Sequence, residues 1–324
     1  MPEGSTAGQA KPHLTLPQQL DVLRSRGLAL GEPPEALRSL QRFGYYRLSG
    51  YAYPLRNTKP KGESGRLDTF VPGASLPLVV QLAEFDKQLR LLVLHGVETV
   101  EVAVRVAVAY RMGAVHTEAH LYPKLLASRF VAQPREGTSA SSGYDAWLKA
   151  YRRNLQSSKE DFVAHHNEMY GGRLPIWAAV EIWNFGLLSK FFAGMQLRDQ
   201  NAVAAQFGGL DGHVLKSWLR TLNFLRNVAA HHSRLWNRAV PDVPVLPSRA
   251  DFPTLDFLHL HPRSREKLLG ALSCLWFLVQ AIEPDSGWAA TVKAHLATFP
   301  SFSALSLEQG AGFFHGWAET DLWK

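Results

Sequence analysis

Apolar side chains recur every third or fourth residue through most of the chain, which is the spacing of one face of an α-helix. The longest such run extends from Leu78 to Val108 and predicts one long helix or two nearly continuous ones. The same pattern predicts helices at 17–26, 34–43, 144–170, 212–236 and 264–282, and another that begins after Pro175. No segment alternates between apolar and polar residues over several positions, so we expect an all-α fold without a major sheet.

Polar and proline-rich segments separate the predicted helices. Loops are predicted before Pro17, at 57–68 and at 132–143, and a proline-rich passage at 241–253 divides the last two long helices. We predict a disordered tail at 1–16, a small helical N-terminal region at 17–70, a helical bundle at 71–300 and an aromatic C-terminal tail at 301–324 packed on that bundle.

The composition is that of a globular basic protein. The 324 residues are 46% hydrophobic and 19% charged, which suffices for a core and argues against global disorder. The net charge of +7 points mildly toward a polyanionic partner. The single cysteine, Cys274, excludes an intramolecular disulfide, and its apolar neighbours favour a buried side chain over a nucleophile.

No segment resembles a membrane span or a secretion signal. The most apolar run, LLGALSCLWFLVQAI, is shorter than the roughly 20 residues that cross a bilayer. The first residues, MPEGSTAGQAKPH, lack the apolar core of a signal peptide. We therefore expect a soluble, cytoplasmic protein.

The segment LRNVAAHHSRLWNR, which runs from Leu225 to Arg238, carries the most distinctive chemistry. Arginine can hold a phosphate through a planar fork of donors, and histidine can exchange a proton near neutral pH. Together these groups can cut RNA without a metal. Adjacent histidines on a helix point about 100° apart, and no carboxylate or cysteine stands at a ligand spacing, so neither a metal nor a cofactor is expected.

One face of the predicted helix at 212–236 is polar and contains no acid. Its members on a helical wheel are Arg220, Asn223, Asn227, His231, Arg234 and Arg238. Such a face suits a phosphate backbone. Arg226 lies about 140° from His231 on the wheel, so its side chain either wraps round the helix or meets a carboxylate such as Glu98 or Glu181.

A second group of aromatic and basic residues occurs in GYYRLSGYAYPLR, at 44–56. Tyrosines can stack on unpaired bases while arginines hold phosphates, and they can equally pack one part of a protein onto another. We expect most of these tyrosines to be packed. Arg47 and Arg56 are expected to be exposed and to contact RNA.

Several long blocks together resemble the Abi-like family, the abortive infection proteins of the AbiD and AbiF type within the HEPN superfamily. The blocks lie at 44–56, 85–105, 174–192 and 217–238, and the aromatic ending GFFHGWAETDLWK is similar as well. The resemblance covers nearly all of the chain after Pro17. It implies a HEPN-like helical bundle and a role in the defence of prokaryotes against phage.

The resemblance also implies a site and a reaction. The family signature is an arginine, four intervening residues and a histidine, with a polar residue commonly following the arginine. It corresponds here to Arg226, Asn227 and His231, with His232 as the alternative if the helix is locally irregular. HEPN nucleases generally act as dimers with two such motifs in one cleft, and they cut RNA without a metal to leave 2′,3′-cyclic phosphate ends. Some members are controlled by a small noncoding RNA.

The residues expected to hold RNA are Arg47, Arg56, Arg220, Asn223, His232, Arg234 and Arg238. Two other functions remain open from the sequence. The protein could hold a structured RNA without cutting it, or it could be an adaptor in which the region of Arg226 forms only a dimer interface. DNA binding has no support from a helix-turn-helix or zinc signature.

Overall fold

A computed structural model describes residues 12–133 and 141–324, so the predicted tail at 1–16 and loop at 132–143 lie largely outside the described residues. The described residues form sixteen α-helices and one two-stranded sheet, which confirms the all-α prediction. They divide into two compact units. The first extends to Gln88 and includes Ala297–Ser306; the second comprises Leu89–Leu296 and Leu307–Lys324.

The first unit contains three short helices and a hairpin. The helices are α1 (Leu16–Ser25), α2 (Pro33–Phe43) and α3 (Tyr45–Ala52), and the strands are β1 (Arg56–Thr58) and β2 (Arg66–Phe70). Thr15 and Gln18 form a capping box that starts α1. The strands are antiparallel, with Arg56 opposite Phe70. The prediction of a loop at 57–68 is wrong at both ends of that segment, because residues there belong to the paired strands β1 and β2. It is correct for the polar turn between the two strands.

The long helix predicted from Leu78 is confirmed as one continuous element, α4 (Leu76–Gly113). The apolar positions that predicted it are buried: Val93, Val97, Val100, Val104 and Val108 have almost no exposed surface. Their three- and four-residue spacing places them along one face, which the second unit covers.

The second unit is built from short helices around a few long ones. They are α5 (Ser128–Val131), α6 (Gly143–Ser157), α7 (Asp161–Tyr170), α8 (Ile176–Ala179), α9 (Phe185–Gly194), α10 (Leu197–Ala204), α11 (Gly212–Ala230), α12 (Asp256–Leu260), α13 (Pro262–Arg265), α14 (Leu268–Ile282), α15 (Trp288–Leu296) and α16 (Leu307–Ala311). The helix predicted at 144–170 is thus two helices. The one predicted after Pro175 breaks at Asn184, whose side chain accepts from the Leu187 N–H and starts α9.

Aromatic side chains fill the core of the second unit. The Trp147 ring meets Trp183 edge to face at 5.1 Å and lies 5.1 Å from the Phe191 ring. Helix α14 is buried along most of its length, and burial raises the pKa of the Cys274 thiol. The Trp323 indole N–H donates to the Ser273 hydroxyl, so the last residues of the chain pack on α14. None of the described helices is long and apolar enough to cross a bilayer.

Candidate functional site

Helix α11 carries the sequence motif, and its own residues explain where it starts and which side it buries. The Asp211 carboxylate accepts from the Val214 N–H at 2.9 Å and caps the first turn. Leu215, Leu222 and Leu225 are fully buried. The opposite side of the helix is left for polar residues.

A polar stripe runs along that side, formed by Lys216, Arg220, Asn223 and Asn227. The spacings of four, three and four residues place all four on one face. The pKa of Lys216 is lowered, first by burial and then by the positive charges of Arg129 and Arg220. The three cations therefore lie close enough to interact, although Arg220 also pairs with Asp242 at 2.6 Å. This end of the stripe is a positively charged surface, although the negative charge of Asp211 opposes the shift at Lys216.

The motif helix ends earlier than its sequence pattern predicts. Helix α11 stops at Ala230, so the predicted continuation to Trp236 is wrong, and Arg234 and Arg238 do not belong to the helical face. The His232 N–H donates to the Ala229 carbonyl at 3.1 Å, and the Ser233 N–H donates to the Val228 carbonyl at 2.9 Å. These two bonds form a Schellman motif, which turns the chain away from the helix axis.

The histidines occupy this corner. His231 is the C-cap of α11, is exposed, and keeps a helical hydrogen bond from its N–H to the Asn227 carbonyl. His232 follows in the left-handed region with φ of 56°, the only positive φ of a non-glycine residue in the described parts of the chain. Arg90, which is buried on α4, donates to the Ser233 carbonyl at 3.4 Å. This bond attaches the turn that follows α11 to α4.

The backbone of His232 should make glycine a better residue there than alanine. A left-handed residue with a Cβ is strained by about 1 kcal/mol, so we expect His232→Gly to be more stable than His232→Ala by about that amount. Urea unfolding of the two variants measures the difference, because both lack the imidazole and differ in the backbone cost. Gly171, which ends α7 with φ of 60°, gives the reciprocal control, since Gly171→Ala should destabilise. An alanine variant at 232 as stable as the glycine variant would contradict this account.

Arg226 lies on a flank of α11, half-buried, beside charges on α4. Its positive charge acts on Glu101, a largely buried carboxylate. Burial raises the pKa of Glu101, and the charges of Arg105 and then Arg226 partly offset that rise. The sequence had pointed to Glu98 or Glu181 as the acid beside Arg226 and missed Glu101.

Glu101 belongs to a small ionic network. It pairs with Arg105 one turn later on α4, and the same guanidinium donates to the Trp183 carbonyl at 2.6 Å. Glu181 lies 3.9 Å from Arg105. Arg226 therefore faces a carboxylate that already has a partner, and no side chain in the described residues accepts a hydrogen bond from the Arg226 guanidinium. Its donors remain available to a ligand.

The polar stripe closely approaches the start of α9. A Cβ at Gly186 would stand 3.3 Å from the Asn184 side-chain oxygen and 3.4 Å from the Asn223 side-chain oxygen. Glycine at 186 therefore permits two amide side chains to lie side by side between α9 and α11. Asn223, half-buried, is held near the middle of the stripe by this packing.

The two arginines beyond the helix take different places. The Arg238 guanidinium lies over the Phe224 ring, 5.9 Å from its centroid, so the chain after the corner returns to α11. Arg234 is half-buried and has a partner within the protein. Arg238, which is exposed, is the better placed of the two to contact a ligand.

The arginines of the first unit fit the RNA prediction unequally. Arg47 is exposed. The Arg56 side chain is only 16% exposed, pairs with Asp68 at 2.9 Å and lies over the Tyr53 and Phe70 rings, so its prediction as an exposed contributor is wrong. The neighbouring tyrosines are divided, because Tyr51 is buried and donates to Asp86 at 2.7 Å whereas Tyr46 is 90% exposed.

The structure thus gathers Arg226, Asn227 and His231 at one end of α11 without joining them. In the described parts of the chain, no hydrogen bond connects the Arg226 and His231 side chains. The same residues contain no group of three His, Cys, Asp or Glu side chains that could hold a metal ion.

The pairing of Glu101 with Arg105 could have been predicted from the sequence, because an acid stands four residues before a base on a long helix. The closeness of Arg129 to Lys216 could not have been predicted in this way, since it arises from tertiary packing.

Comparison with known proteins gives one match. The model of a family described as Abi-like protein matches residues 38–237, which include α11 and the histidine corner. No curated protein and no solved structure matches the chain.

Proposed function

Because the chain belongs to the Abi-like protein family, which indicates an abortive-infection function, we propose that it is a HEPN-type endoribonuclease that cuts single-stranded RNA without a metal. The observation that carries the proposal is the end of α11. There an exposed imidazole, His231, and a half-buried guanidinium, Arg226, both lack an internal hydrogen-bond partner among the described residues. An imidazole and an arginine left available at the same helix end suit acid–base chemistry on a phosphate.

The proposed reaction is an internal transesterification. The ribose 2′-oxygen bonds to phosphorus as the bond to the 5′-oxygen of the next nucleotide breaks. His231 takes the proton from the 2′-hydroxyl while water protonates the departing 5′-oxygen, or His231 protonates that oxygen while water accepts the proton of the 2′-hydroxyl. Arg226 stabilises the charge that builds on the phosphate oxygens. Asn227, one turn before His231, donates to the phosphate or orients the imidazole. The products carry a 2′,3′-cyclic phosphate and a 5′-hydroxyl.

The positively charged end of the stripe supports binding of the RNA backbone. Arg129, Lys216 and Arg220 lie close together, and Lys216 already feels the other two charges. A phosphate placed there relieves this repulsion and releases counterions, which makes the affinity fall with salt. Asn223 and Asn227 continue the same face toward His231. The stripe therefore leads an RNA strand from a binding surface to the histidine corner.

The site is proposed to be completed by a second copy of the chain. Because no hydrogen bond joins Arg226 to His231 within one chain, an arginine of one subunit complementing a histidine of the other accounts for the arrangement. An exposed apolar stripe on α4, formed by Val102, Val106 and Tyr110, supports self-association. It lies on the same helix as Glu101 and Arg105, so a copy bound there lies near the charges that surround Arg226.

Bound RNA is also a candidate regulator. The stripe recognises a phosphate backbone rather than a sequence, so a structured noncoding RNA can occupy the surface used by the substrate. Recovery of uncut RNA together with the purified protein would support this regulatory role of bound RNA. A protein that binds RNA in this way without cutting it is the second candidate function, favoured by the lack of a hydrogen bond between the described side chains of Arg226 and His231.

Incubation of the full chain with end-labelled single-stranded RNA in excess EDTA tests the proposal. We expect cleavage to continue, because imidazole and guanidinium need no metal, and the products to carry the cyclic phosphate. Mass spectrometry of the fragments identifies the ends. Cleavage that stops with EDTA, or products with a 5′-phosphate, would contradict the mechanism, and RNA recovered bound but uncut would leave the second candidate.

A further inference from the structure

A second concave site lies in the same unit as α11, outside the residues used above. It is a cavity of about 540 Å³, within the range of small-molecule sites. Aromatic rings from α7 and α8 form most of its walls, with an arginine and its carboxylate partner at one side. The lining residues that matter are Glu118, His165, His166, Tyr170, Arg173 and Trp177.

The rings of this cavity are exposed although they are large. Trp177 is 55% exposed and Tyr170 is 58% exposed. The Tyr170 ring lies 5.3 Å from His166 and 5.9 Å from His165, so the three rings form one cluster on α7. Such surfaces are costly to leave in water and are typical of sites that receive another flat apolar group.

The arginine of the cavity is fixed in orientation and balanced in charge. The Arg173 Nε–H donates to Glu118 Oε1 at 2.9 Å, and Nη2 pairs with the other carboxylate oxygen. The hydrogen bond from Arg173 lowers the pKa of Glu118, so the carboxylate stays charged. Because Glu118 neutralises it, Arg173 is poorly suited to hold a phosphate on its own. Its side chain also interacts with Tyr122 but is still 70% exposed, so the remaining N–H groups can donate to carbonyl or ring-nitrogen acceptors.

We propose that this cavity binds an unpaired nucleobase, stacked against Trp177 and the α7 ring cluster, with its polar edge toward Arg173. Aromatic walls beside the exposed donors of Arg173 favour this occupant, since a base offers both a face that stacks and a polar edge that accepts hydrogen bonds. The inference rests on the proposed function for its source of the base, a nucleotide of the RNA that the same chain binds. It adds a base-binding subsite to the phosphate contacts proposed at the polar stripe.

Isothermal titration calorimetry of the full chain with the four nucleoside 5′-monophosphates tests the proposal, with ribose 5-phosphate as the base-free probe. We expect at least one nucleotide to bind at millimolar concentration and ribose 5-phosphate not to bind. Trp177→Ala and Tyr170→Ala should each weaken binding roughly tenfold, the usual cost of losing one stacking partner. Leu197→Ala is the matched control, since Leu197 is a 63% exposed apolar residue outside this cavity and outside the proposed subunit contact, and it should not change the affinity.

Three results would overturn the base-binding site: no binding of any nucleotide, equal binding of ribose 5-phosphate, or affinities unchanged in both ring variants. Loss of self-association in Trp177→Ala, measured by light scattering, with unchanged nucleotide affinity would assign the cavity to protein contacts instead. Two variants keep the test decisive if one fails to fold. Nucleotide binding without RNA cleavage would contradict the proposed nuclease activity but support the base-binding cavity. RNA cleavage without nucleotide binding would support the nuclease activity and contradict the base-binding cavity.

Discussion

Replacing His231 with alanine is expected to lower the rate of RNA cleavage by about 10²–10⁴-fold, the usual contribution of a positioned acid or base. The imidazole is exposed at the end of α11 and has no hydrogen-bond partner among the described residues, so its removal leaves no unsatisfied group in the protein. Folding and RNA binding should therefore be retained. Cleavage rates at saturating RNA, together with filter-binding affinities, separate the loss of chemistry from a loss of binding.

His315 provides the matched control for this variant. It is an exposed histidine of the same unit, outside α11 and its polar stripe. His315→Ala should cut RNA at the rate of the unchanged protein. A His231→Ala protein that also retains that rate would remove His231 from the mechanism. Loss of RNA binding in step with cleavage would assign it to binding instead.

Acidification between pH 6.5 and pH 4 is expected to destabilise the protein through His120. This imidazole is fully buried among aromatic rings, 3.3 Å from the Tyr151 hydroxyl, and burial lowers its pKa to about 4 against the opposing charge of Glu118. The unfolded chain takes up a proton at the usual histidine pKa near 6.5, whereas the folded protein does not until about pH 4. Unfolding is therefore favoured progressively over that interval, by about 3 kcal/mol when it is complete.

Urea unfolding at pH 7.5, 6.0 and 4.5 measures this loss. His120→Gln cannot take up the proton, so its free energy of unfolding should fall less over the same interval, whatever its stability at pH 7.5. His213→Gln, which changes an exposed histidine, should keep the full loss. Parallel pH profiles for the unchanged protein and His120→Gln would show that the burial of His120 does not govern acid stability.

The helices of this protein were predictable where apolar periodicity was long and uninterrupted. Helix α4 shows this, since the apolar run from Leu78 to Val108 predicted one long helix or two nearly continuous ones and the structure has a single helix there. The break at Asn184 also had a local signal, because asparagine is a preferred N-cap, but the apolar run on both sides hid it. Short helices such as α10 and α15 had too few turns to establish a period.

The residues of the candidate site were proposed from the sequence, but the path of the backbone through the site could not be predicted from it. The end of α11 could not be predicted from the sequence. The residue that turns the chain there is His232, whereas glycine usually occupies the left-handed position at a helix end. Placing Arg234 and Arg238 on a continuous helix followed directly from that missing signal. Glu101 and Arg129 join the site through contacts between distant segments, which the periodicity of one segment does not encode.

Helix α4 gives the two halves of the site a common frame. Arg90 steadies the turn that carries the histidines, and Glu101, eleven positions further along the same rod, sits within reach of the Arg226 charge. At 1.5 Å per residue these anchor points are about 16 Å apart, a separation that an unbroken helix keeps nearly constant. A rotation or tilt of α4 consequently displaces both anchors together. Any event that moves this one helix therefore shifts the histidine turn and the carboxylate beside Arg226 together.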